Sequence, residues 1–256
     1  MASSSEAGCC PPGSVGPKPS AGADEVQRVE VEGKEYFVVG SGERGVLLVP
    51  DVFGPHSGRT LRVAETLAKE GFNVLVPNLF TEWAPDPPTD GTSVMKWIPE
   101  HPYSLFESDL EGALTYLKEQ RGAKVVGAMG FCWGVWAFFK LATSKDKVVC
   151  GVGCHPSLRI EHFFNGDNSA DALAAATHCP MLLLPAGNDP EHVQPGGSVV
   201  KVLESLPHGG ETKVVPFPDM AHGWVNRGDV KDEKISAEVE RALHECAIPY
   251  LKKYVR

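Results

Sequence analysis

The chain has 256 residues, enough for one large α/β domain with a buried core. With 42% hydrophobic and 22% charged residues it reads as neither a disordered nor a membrane-embedded chain. Its net charge of −9 argues against a generally basic surface for nucleic acid.

Residues 1–24, rich in Ser, Gly, Ala and Pro, lack the apolar run of a signal peptide and the arginines of a transit peptide. They are expected to form a flexible tail on a cytoplasmic protein, ahead of one domain at 25–256. Acylation of Cys9 or Cys10 alone would anchor weakly, and no run of about 20 apolar residues predicts a membrane span. The cysteines are odd in number, seven in all, with no CxxC pair, which fits a reducing compartment better than a disulfide framework.

From Val26 to Val39 the pattern alternates around Gly33, predicting an antiparallel hairpin. Apolar runs follow at Val46–Val49, Phe72–Val76, Lys124–Met129, Val148–Val152, Met181–Leu184 and Lys213–Phe217. Several are solidly apolar, as in strands covered on both faces. Between them, Phe106, Leu110, Ala113, Leu114 and Leu117 recur at helical spacing, with Gly122 placed for a left-handed cap. Asp232 can cap a helix whose apolar face is Ile235, Val239, Leu243 and Cys246, and Pro249 should end or bend it. Strand–helix alternation at this spacing predicts an α/β fold, a mostly parallel sheet with helices on both faces. The proline- and tryptophan-rich stretch 83–102 is an excursion expected to roof part of a pocket.

The strand Lys124–Met129 runs into Gly130-Phe131-Cys132-Trp133-Gly134, a G-x-C-x-G elbow between strand and helix. Glycines permit the tight turn, and a helix N-terminus favours a thiolate at Cys132. The Trp133 N–H would face a developing oxyanion, with Val52, after the first parallel strand, as second donor. A thiol needs a base and the base an orienting acid. Asp189 and His222 each follow a later strand, at the sheet edge to which the elbow brings Cys132. Asp51 is expected beside the thiol, where it could accept its proton. Cys150, Cys154, Cys179 and Cys246 read as packing residues, and Cys150, Cys154 and His155 lack a zinc spacing, so no metal site is expected.

Together Asp51-Val52-Phe53-Gly54, the cysteine elbow, Gly187-Asn188-Asp189 and Ala221-His222-Gly223-Trp224 resemble the dienelactone hydrolase family, in particular its carboxymethylenebutenolidase-like eukaryotic branch. The resemblance spans residues 26–254 and implies a compact α/β-hydrolase fold with a Cys132–Asp189–His222 triad. It implies cleavage of a small ester or lactone through a cysteine acyl-enzyme, without cofactor. In bacterial members a Glu hydrogen-bonds the resting thiol until substrate displaces it; here Asp51 holds that position, one methylene shorter. Bacterial members also clamp a substrate carboxylate with arginines. Glu82 stands where one is expected and Arg227 is displaced by one residue, so a carboxylate-bearing dienelactone suits this chain poorly. Phe53, Trp97, Trp133 and Trp224, with Arg227, are the expected pocket walls. Two other functions compete: a β-glucan hydrolase, as some plant-type relatives are labelled, using paired carboxylates such as Asp51 and Glu82, and a non-catalytic small-ligand binder.

Overall fold

The computed structural model describes residues 10–80, 94 and 96–256. These residues form the strands β1 (Gln27–Val31), β2 (Lys34–Val39), β3 (Arg44–Val49), β4 (Asn73–Pro77), β5 (Val125–Phe131), β6 (Gly151–Cys154), β7 (Met181–Leu184) and β8 (Lys213–Val214). They lie in one sheet in the order β1-β2-β4-β3-β5-β6-β7-β8. β2 runs antiparallel to β1 and β4; every later pairing is parallel. Glu32 and Gly33, both at positive φ, make the hairpin turn.

Among the described residues the helices that flank the sheet include α1 (Thr60–Lys69), α2 (Glu107–Thr115), α3 (Trp133–Ala142), α4 (Ser198–Ser205), α5 (Glu233–Glu240) and α6 (Ile248–Tyr254). Successive strand residues point to opposite faces. Leu47, Val49, Leu75 and Ala128 therefore join the layer under α2, α3 and α4, whereas Val46, Leu48, Val74 and Met129 join the layer under α1, α5 and α6. Burial on both sides accounts for the solidly apolar runs.

Three elements differ from expectation. β6 starts three residues late, because Val149 turns toward solvent before Gly151 pairs with Ala128 and Met181. β8 is short because Pro216 has no N–H for the ladder, although Phe217 still bridges Ala186 in parallel. Pro249 neither ends the C-terminal helix nor starts a loop. Residues Arg241–Ala247 adopt a wider π-type turn, and α6 resumes with the proline in its first turn, where a missing N–H costs nothing.

The amino-terminal segment also departs from a free tail. The Val15 N–H donates to the His222 carbonyl at 2.8 Å, the Gly58 N–H to Lys18 at 2.9 Å, and the Ala21 N–H to Gly58 at 2.7 Å. Residues 10–24 thus follow the domain surface as an extended strap. Their backbone groups find partners in loops that the hydrophobic pattern does not register. The excursion 83–102 lies mostly outside the described residues, as does Glu82. Among the described residues no helix is long and apolar enough to cross a membrane.

Candidate active site

β5 enters a sharp turn that places Cys132 at φ 54°, ψ −117°, immediately before α3. A non-glycine residue at this φ is strained and persists because its surroundings enforce it. Both flanking glycines are required by close packing. A Cβ at Gly134 would lie 2.4 Å from the carbonyl oxygens of Val49 and Pro50, and one at Gly130 would lie 2.8 Å from the Gly134 backbone. The elbow therefore presses against the end of β3. It holds the thiol at the mouth of α3, whose first N–H groups have no intrahelical acceptor.

Two more loops converge on this sheet edge. After β7, the Asp189 carboxylate accepts from its own turn, the Ala186 N–H, at 2.7 Å, and from His222 Nδ1 at 2.5 Å. The His222 N–H donates to the Asn188 side-chain oxygen at 2.7 Å. Gly187 lets the loops close: a Cβ there would stand 1.9 Å from the Pro218 carbonyl. A His222 ring nitrogen, Cys132 Sγ and Cys10 Sγ all lie within 4.8 Å of one another. With Nδ1–H committed to Asp189, Nε2 is the nitrogen left to face sulfur.

Cys132 and His222 are both 0% exposed. Burial works against a charged ring at His222, but the adjacent Cys132 sulfur and the Asp189 carboxylate outweigh it, holding the imidazole well above its ordinary value. Burial pushes the neighbouring His155 well below that value, aided by His222 and Arg227. The rings of these two histidines are 4.9 Å apart. One ring is thus poised to carry a proton and the other kept neutral.

Burial raises the Asp51 carboxyl above its ordinary value, Arg227 opposes that, and the nearby Cys132 sulfur adds to it. Its carboxylate accepts from Phe53 N–H at 2.9 Å, from Asn226 Nδ2 at 2.6 Å, and from Arg227 Nη1. The shorter side chain ends among these donors. Arg227 is fully buried, pairs with Asp51 and stacks over Phe53 at 4.8 Å. Trp224 lies in the opposite core layer, with its ring 4.5 Å from Phe217, and so is a packing residue rather than a pocket wall. Trp97 stacks on His101 at 3.9 Å and meets Phe80 and Phe106, which in turn abut Trp133, so it backs the elbow at one remove. Phe53 does border a cavity of about 280 Å³, which Cys10 to Pro17 and Val94 also line. Val52 is buried directly after β3, beside the elbow's contact with Val49 and Pro50.

Two contacts of the thiol escaped the sequence reading. Ser157 Oγ donates to Cys132 Sγ at 3.3 Å, and Cys10 Sγ lies 3.8 Å away. Ser157 follows β6, the strand beside the elbow strand, and that adjacency was its available signal. Cys10 carries no such signal, since it lies 122 positions from its neighbour.

The model of the dienelactone hydrolase family matches residues 36–254. The chain belongs to that family. A carboxymethylenebutenolidase homologue of Xenopus tropicalis is 28% identical, over 96% of this chain and 98% of its own. An endo-1,3;1,4-β-D-glucanase of Zea mays is 29% identical over 51% of this chain and 42% of its own. A Klebsiella pneumoniae structure provisionally assigned to the dienelactone hydrolases superposes with a TM-score of 0.70 at 16% identity, over 90% of this chain and 98% of its own. The α/β-hydrolase architecture of the family member described here agrees with that likeness.

Proposed function

We propose that this dienelactone hydrolase family member hydrolyses small, uncharged esters or lactones through a thioester on Cys132. The observation that carries the reading is the meeting of three loops at one sheet edge: a thiol on a strained elbow and an imidazole already oriented by a buried carboxylate. In this reading Cys132 attacks the carbonyl carbon, and the N–H groups of Trp133 and Val52 stabilise the tetrahedral anion. His222 takes the thiol proton and passes it to the leaving oxygen, while Asp189 fixes its tautomer. Water then attacks the thioester with His222 as base, returning the thiol. Ser157, donating to the sulfur, holds it in place before attack.

The commitment of Arg227 to Asp51 favours a substrate without a carboxylate, since the cation already has a buried partner. It also speaks against the glucan-hydrolase reading, in which Asp51 would have to face a sugar bond. The test is turnover of p-nitrophenyl acetate and of a neutral enol-lactone. Cys132→Ala should abolish both, and Asp189→Asn should lower kcat by about 10⁴ if Asp189 sets the tautomer. Retained turnover in Cys132→Ala would refute the reading, and reducing-sugar release from β-glucan by that variant would replace it.

A further inference from the structure

The strap formed by residues 10–24 crosses the edge where the triad sits, and it puts a second thiol on the first. Cys10 Sγ is 3.8 Å from Cys132 Sγ. The strap is held there by the two loops that carry the acid and the base: the Pro12 carbonyl accepts from Asn188 Nδ2 at 3.0 Å, and the Val15 N–H donates to the His222 carbonyl. Cys132 and His222 are fully buried in this arrangement, with Cys10 of the strap within 4.8 Å of both, so the strap is one of the segments covering them.

We propose that Cys10 and Cys132 form a reversible disulfide that locks the strap over the active site. The proposal rests on Cys132 being the reactive thiol assigned above. A disulfide needs an S–S distance of about 2.05 Å, so the two sulfurs must close by under about 2 Å, within reach of side-chain rotation on an extended segment. The oxidant is a peroxide. The Cys132 thiolate attacks one peroxide oxygen, the O–O bond breaks, and the departing oxygen leaves with a proton as water or an alcohol. Sulfur is oxidised by two electrons to a sulfenic acid and the peroxide is reduced. The Cys10 thiolate then attacks that sulfur, the S–O bond breaks, and hydroxide leaves as water with the proton given up by Cys10. His222, within 4.8 Å of both sulfurs, is placed to accept and return these protons. A dithiol reductant reverses the state by exchange.

The experiment treats the full chain with hydrogen peroxide and maps its peptides without reduction. The expected product is one crosslinked pair containing Cys10 and Cys132, two hydrogens lighter than the free peptides. Esterase turnover should fall by at least about tenfold and return with dithiothreitol, as for a capped thiol. In Cys10→Ser the crosslink should be absent, and a growing fraction should resist dithiothreitol as Cys132 passes to sulfinic acid. Cys9→Ser should behave as wild type. A wild-type protein whose Cys132 goes directly to sulfinic acid would overturn the proposal, as would a crosslink carried by Cys9. So would a tightly held zinc ion on Cys10, Cys132 and His222 that shields the thiols until it is chelated. The crosslink is read by mass, so it stands or falls separately from turnover by Cys132→Ala.

Discussion

Asp51, just past β3, forms a buried ion pair with Arg227. Its carboxylate and Arg227 are both fully buried, and a charge taken out of water is tolerable only when paired. Replacing Arg227 by Met would strand that carboxylate with Asn226 and the Phe53 N–H as remaining donors. The expected cost is about 3–5 kcal/mol of unfolding free energy, read by urea titration. Asp51→Leu in the same chain should recover much of it, whereas equal losses in single and double variants would mean the pair is not ionic. Cys132, Asp189 and His222, which the proposed mechanism uses, stand out in sequence because each occupies a local context that such chemistry demands: an elbow, or a turn just past a strand. The Asp51–Arg227 pair does not, since nothing local says which of several donors 175 and 176 positions away a carboxylate will meet.

Elements were readable wherever a period or a cap was present. The Asp232 side chain accepts from the Lys234 and Ile235 N–H groups at 2.9 and 3.1 Å, as its place before a helical period implies. Asp232→Ala should therefore cost about 1 kcal/mol and lower the melting temperature by a few degrees, with the fold unchanged by circular dichroism. An unchanged midpoint would show that helix packing, through Val239 and the turns beyond it, suffices without the cap. Boundaries were lost where tertiary pairing overrode the local run, as at Gly151, and where proline altered the hydrogen-bond register without stopping the chain, as at Pro249. The strap was lost for a different reason. Its composition is that of a linker, and what holds it is backbone pairing to distant loops.

For the whole molecule, the two core layers fix the sheet and leave the carboxyl-terminal edge to polar groups, some of them histidines without charge. His192 is pushed down to about 4 by burial, with His162 and Arg159 adding to the effect and Asp171 opposing it. His155 is lowered by burial in the same direction. The unfolded chain binds protons at these rings below about pH 6.5, while the folded chain refuses them. Their contribution to stability is thus complete above about pH 6.5 and is lost as pH falls, for His192 through about 4. Urea unfolding at pH 7, 6, 5 and 4 should show a declining free energy, of which His192 supplies on the order of 2–3 kcal/mol. His192→Gln should flatten that decline, because it removes the proton-binding difference while retaining a polar side chain. The same slope in variant and wild type would assign acid sensitivity to the remaining buried groups, foremost His155 beside His222.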